Sequence, residues 1–196
     1  MRIHPAIAAL RSDRAPQRHA QSSMEAALDS WRSDAGLSAA QAEFEAFGTG
    51  AALEDCPTLE AMFTGQGQAE ALVDALVSHF CAAIAANPLA HPPFRNGFDG
   101  RTATLLLARS GRAQLMLQSR EPGRFDFQCA TYNDALRYDA TLAGRAQATI
   151  LRVHGPHEQV RFAPEPIMLE PGVRLSFDCN SEALQIDAVD TRLVTL

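Results

Sequence analysis

The stretch Arg152-Val-His-Gly-Pro-His-Glu-Gln-Val-Arg161 sets two histidines three residues apart, with a glutamate beside the second. Imidazole and carboxylate are ligands for zinc and partners in proton transfer, so this is the chain's densest chemical signal. His157-Glu158 does not begin a His-Glu-x-x-His helix motif, because Arg161 stands at the second ligand position. His154 and His157 also straddle Gly155-Pro156, which reads as a turn between strands. With Cys129 or Cys179 they could complete a mixed zinc site, but only if distant segments meet. The turn is the preferred reading, so no metal ligand, catalytic residue or cofactor-binding residue is assigned.

Other motifs are absent or incomplete. The chain has no Gly-x-Ser-x-Gly elbow. Gly48-Thr-Gly50 and Gly65-Gln-Gly67 each supply half of a dinucleotide loop, but Leu53 and Glu70 occupy the third glycine position. All seventeen basic residues are arginine. Without lysine there is no Schiff base to a carbonyl or pyridoxal group and no P-loop lysine. Arg137-Tyr-Asp139 and Tyr132-Asn-Asp134 carry polar groups that suit a barrel mouth, and equally suit a hairpin turn or solvated strand face.

The elements that must position these groups differ between the two halves. Residues 1–22, with four arginines and one aspartate, are expected to be a flexible tail. Residues 23–98 read as helical. Ser22-Ser-Met-Glu25 and Ser38-Ala-Ala-Gln41 have capping-box form, placing short helices over 24–35 and 39–47, with Gly36 and Gly48 at their ends. Pro57–Phe63 suggests another turn of helix. Over 67–86, Ala69, Leu72, Val73, Leu76, Val77, Phe80, Cys81 and Ile84 form one apolar stripe, and Asn87-Pro88 ends the helix. This stripe is expected to cover the protein's own β domain. His79 lies outside it and reads as a surface residue.

Past residue 98 the period falls to two. Thr102–Arg109 and Ala113–Ser119 flank Ser110-Gly-Arg112 as a hairpin. Further strands are expected over 124–130, 136–142, 146–153, 158–163, 166–170, 173–178, 183–189 and 191–195. The fold class is therefore α+β, a helical N-terminal segment followed by an antiparallel β-sandwich or barrel over 99–196.

Short strands around Ile167-Met-Leu-Glu-Pro-Gly-Val-Arg-Leu-Ser-Phe177 resemble the cupin superfamily, small jelly-roll barrels with a Pro-Gly turn in their second half. The resemblance covers residues 99–196. Cupin enzymes hold a metal with a His-x-His pair, a glutamate and a later histidine. With Gly123 as the opening glycine, Cys129 and Thr131 stand where the paired histidines would, and Leu175 lies near the later one. The resemblance thus implies a metal-free member that binds small ligands or serves as a regulatory domain. An alternative is a cupin-type metalloenzyme with a nonstandard set including His154 or His157. A third reading, from another class, is an interaction module in which helix 67–86 docks a partner or forms a homodimer.

The net charge of -6 is concentrated in residues 23–86, where ten acids face one arginine. An acidic surface repels phosphate backbones, which disfavours nucleic acid as a partner. No uninterrupted apolar run suggests a membrane span. Four dispersed cysteines without a C-x-x-C pair read as reduced thiols, and the expected location is cytoplasmic. Arginine on inward strand faces would favour a small anionic ligand, a carboxylate or phosphate, and Arg137, Arg152 and Arg174 are the candidates by strand placement.

Overall fold

The computed structural model describes residues 3, 5–10, 12–65, 67–87, 89–126, 129–155 and 161–196. Helices come first: α1 (Pro5–Ala9), α2 (Ala15–Arg32), α3 (Ala35–Gly48), α4 (Pro57–Thr64) and α5 (Gln68–Ala86), with a 3-10 turn at Leu53–Asp55. Helix α2 begins inside the stretch 1–22 that was expected to be a flexible tail. Pro16 sits in its first turn, and Ala20 and Met24, each 1% exposed, fix it to the core. Both serine capping boxes fall in helix interiors, in α2 and α3, instead of at helix starts. The caps used are different. Glu43 on α3 accepts the backbone N–H groups of Thr58 (2.7 Å) and Leu59 (3.0 Å), satisfying free donors at the start of α4. Glu70 accepts the Gly67 N–H at 3.0 Å and does the same for α5. Asn87 is extended, which stops α5 ahead of the proline.

Eight antiparallel strands follow: β1 (Arg95–Phe98), β2 (Thr102–Ser110), β3 (Ala113–Arg120), β4 (Gly123–Arg124), β5 (Leu136–His154), β6 (Arg161–Leu169), β7 (Arg174–Asp178) and β8 (Glu182–Thr195). They pair in the order β1-β2-β3-β8-β5-β6, with β4 on β8 and β7 on β5. The sheet does not close, since β1 and β6 are its edges. Several expected strands merge. Segments 136–142 and 146–153 form the single strand β5, and 183–189 and 191–195 form β8. The punctuating Gly144 is a bulge, with φ +87°, where a Cβ would run into the Arg192 carbonyl of the paired strand. Pro164 and Pro166 do not interrupt β6, because an edge strand has an unpaired side where a missing N–H costs no ladder bond. Of the expected strand 124–130 only Gly123–Arg124 is paired, and residues 127 and 128 lie outside the described set.

Two apolar cores result. The larger joins Met24, Trp31, Phe44, Leu59, Leu72 and Phe80 of the helices to Leu107, Leu115, Ala140 and Leu196 of the sheet. It therefore spans both sides of residue 98. The smaller gathers Ala146, Ala148, Leu169, Ile186, Val189 and Leu193, with Leu175 and Leu184 packed against it. Helix α5 has the length and mean hydropathy (1.5) of a membrane span, but its Ala69, Leu72, Leu76 and Phe80 enter the larger core. Val73 packs against it as well, while the remainder of the stripe stays outside, with Val77 49% and Ile84 38% exposed and Cys81 on the surface.

Candidate functional site: an inward-facing guanidinium cluster

Alternation along the strands sorts side chains between the two cores. On β5, Tyr138 and Ala140 face the helices. Arg137, Asp139 and Thr141 occupy the alternate positions. Cross-strand register confirms the direction: Asp139 lies opposite Leu175, which packs on the smaller core, and Arg137 lies opposite Phe177. On β3, Leu115 and Leu117 face the helices, so Gln118 and Arg120 face the other way, with Gln118 opposite Thr195 and Arg120 opposite Leu193. Thr195 is in turn opposite Thr141. The face away from the helices thus carries a polar patch built from three strands: Gln118 and Arg120, Thr195, and Arg137, Asp139 and Thr141.

Within it, Arg137 donates from Nε to Asp139 Oδ1 (2.9 Å) and from Nη2 to Oδ2 (2.8 Å), the bidentate geometry that a planar guanidinium favours. Nη1 has no partner among the described residues, and the side chain is 41% exposed. Arg120 donates to Gln118 Oε1 at 2.9 Å and forms no ion pair among the described residues. Burial holds Arg120 below the ordinary guanidinium range; the nearby Arg137 charge adds to this, while Asp139 and Asp99 oppose it. Two guanidinium groups therefore lie in the field of Asp139, with Asp99 also acting on Arg120, and arginine keeps its charge at any physiological pH.

From this patch Arg137 also lines a cleft of about 300 Å³, whose walls include Thr131, Asn133, Phe177, Glu182 and Leu184. Cys129 and Cys179 also line it. Burial raises the Cys179 pKa; Arg137 opposes this, and Asp139, Asp178 and Glu182 reinforce it. A protonated thiol in such acidic company is a weak nucleophile. Cys129 and Thr131, which stand at the cupin ligand positions, do border the cleft, but this pair lacks the nitrogen donors of a cupin metal set.

The other candidates separate. Arg174 faces the helices and is consumed there: it is 8% exposed, donates to both Glu70 oxygens (2.7 and 2.8 Å), and reaches the carbonyls of Met62 and Gly65 (both 3.1 Å). With Nη1 on the carbonyls of Thr141 (3.3 Å) and Val173 (3.4 Å), it joins helices to sheet. Arg152 is paired with Glu182 (2.8 Å) and Glu165. His154 is an exposed residue at the end of β5, while His157 and Glu158 lie outside the described residues. No group of three histidine, cysteine, aspartate or glutamate side chains converges to hold a metal ion among the described residues. In Tyr132-Asn-Asp134, Asn133 lines the cleft, Tyr132 stacks on Phe162 with ring centres 6.2 Å apart, and Asp134 makes an exposed ion pair with Arg112.

Arg120 was not signalled by the sequence. Gln114, Met116, Gln118 and Arg120 alternate with apolar residues just as a solvated strand face does. Only the return of β5 and β7 shows that its far end looks into a second layer.

No protein-family model and no curated protein matches the chain. Among solved structures it is similar to Drosophila melanogaster CENP-C bound to CAL1, with TM-score 0.40 and 13% identity over 52% of this chain and 77% of that one. It is also similar to a protein of unknown function (DUF1255) from Acidithiobacillus ferrooxidans, with TM-score 0.31 and 14% identity over 53% and 84%. Hydroxypropylphosphonic acid epoxidase from S. wedmorenis aligns over 88% and 95%, with TM-score 0.32 and 15% identity. At these values the likeness is weak and assigns neither a family nor an activity.

Proposed function

We propose that this chain is a ligand-binding or regulatory module whose cupin-like β domain takes a small anion in the cleft at Arg137, without a catalytic metal. The observation that carries the reading is Arg137 on the cleft wall, with Nε and Nη2 held by Asp139 and Nη1 without a partner among the described residues. A guanidinium edge with free donors, half sheltered from water, is a ready partner for carboxylate or phosphate oxygens. Phe177 and Leu184 supply the apolar wall that small-molecule sites usually combine with a few polar groups.

A thermal-shift panel of small carboxylates and phosphates tests this on the wild type and on Arg137→Gln. Ligand that binds only the folded state raises the melting temperature in proportion to its saturation. Stabilisation of the wild type that disappears in Arg137→Gln supports the reading. Equal shifts in both proteins, or none in the wild type, contradict it.

A further inference from the structure

We infer that the Arg137 cleft takes a small zwitterion, an amino acid with an apolar side chain, rather than a simple anion. The inference rests on the anion-binding reading above and extends it to the opposite wall. Glu182 lines the same cleft as Arg137. Its Oε1 accepts from Arg152 Nε at 2.8 Å, and its Oε2 accepts the Asp178 N–H at 3.2 Å. Asp178 is the cross-strand partner of Leu136, the residue before Arg137, so the Glu182 carboxylate is anchored beside the start of the arginine's strand.

Charge bookkeeping separates the two walls. At one, Arg137 is held by Asp139 through Nε and Nη2 and keeps Nη1 without a partner among the described residues. At the other, Arg152 is shared between Glu165 and Glu182, which leaves one negative charge uncompensated. Each Glu182 oxygen has a single hydrogen-bond donor, and a carboxylate can accept about four in all, so capacity remains for an ammonium group. The Cys179 thiol, on the same lining, lies in the field of Arg137 and of Asp139, Asp178 and Glu182. A lone anion would satisfy the first wall and be repelled by the second. A molecule with carboxylate and ammonium on one carbon matches both, and Phe177 and Leu184 receive its apolar side chain.

Calorimetric titration at pH 7 with three molecules of one carbon skeleton tests this: L-leucine, 4-methylpentanoate, which lacks the ammonium, and 3-methylbutylamine, which lacks the carboxylate. The expected result is that leucine binds roughly tenfold or more tightly than either analogue, since each lost charged hydrogen bond costs on the order of one such factor. Glu182→Gln should abolish the preference for leucine over 4-methylpentanoate and, by removing the repelling charge, raise the acid's own affinity. Should that variant fail to fold, the wild-type panel decides alone. If 4-methylpentanoate binds as well as leucine, the zwitterion assignment is overturned and the anion reading survives. If none of the three binds, both are overturned.

Discussion

Arg174 and Arg137 sit on neighbouring strands and differ only in the face they occupy. The first faces the helices, and its nitrogens are all engaged by Glu70 and backbone carbonyls. Burial would raise the Glu70 pKa, but the hydrogen bonds and charge of Arg174 outweigh it and hold the carboxyl below its usual range. A depressed carboxyl contributes stability that is present above the unfolded value, about pH 4.3, and is lost as pH falls through the folded value. Arg174→Gln should therefore destabilise the protein by about 3 kcal/mol at pH 7, and the gap between wild-type and variant melting temperatures should narrow below about pH 4. Denaturant melts over pH 3–7 would check this, and a gap independent of pH would count against the clamp. Sequence placed both arginines on strands. It could not tell them apart, because a one-residue difference in phase exchanges the two faces.

Cysteine chemistry also belongs to this scale. Cys81 and Cys129 are exposed, burial raises the pKa of Cys179, and Cys56 is 1% exposed with its pKa raised by burial and by Glu43 and Asp55. Thiolate is the reactive form. With a chromogenic disulfide at pH 8, Cys81 and Cys129 should react first, Cys179 more slowly, and Cys56 only on unfolding. Mass mapping of time points gives the order, and early labelling of Cys56 would refute its placement.

Among elements, the helices were legible from apolar period and the hairpin from its Ser-Gly-Arg turn. Strand ends were less so. The repeated Gly-Arg-Ala-Gln at 111–114 and 144–147 reads as one kind of turn exit, but the first copy closes the β2–β3 hairpin and the second is a bulge inside β5. Both glycines have positive φ, and local sequence does not distinguish a reversal from a kink. Gly48 and Gly111 add a constraint invisible in sequence. The end of α3 lies so close to the hairpin that a Cβ at Gly48 would strike the Ser110 carbonyl, and one at Gly111 the Gly48 carbonyl. Either glycine-to-alanine change should cost about 1–3 kcal/mol through overpacking. Urea melts would show it, and an unchanged midpoint would mean that helix and hairpin are further apart.

For the molecule as a whole, composition and period identified an α+β chain whose strands follow its helices. The apolar stripe of 67–86 was expected to cover the β domain, and Ala69, Leu72, Leu76 and Phe80 do share a core with the sheet; periodicity did not show which strand residues they meet, because it marks the apolar face and not what covers it. Leu107, Leu115, Ala140 and Leu196 lose their cover if the helices are removed. A fragment of residues 99–196 should therefore show no cooperative thermal transition, whereas a sharp transition would mark the β part as self-sufficient.

Anion binding in the cleft at Arg137 is tested most directly by amide NMR, through titration of the isotopically labelled protein with 4-methylpentanoate. Saturable shifts are expected at Ala130, Arg137, Phe177 and Leu184, all on the cleft wall, and are expected to be lost in Arg137→Gln. Shifts that never saturate, or that gather instead around Trp31 and Met62 among the helices, would contradict it.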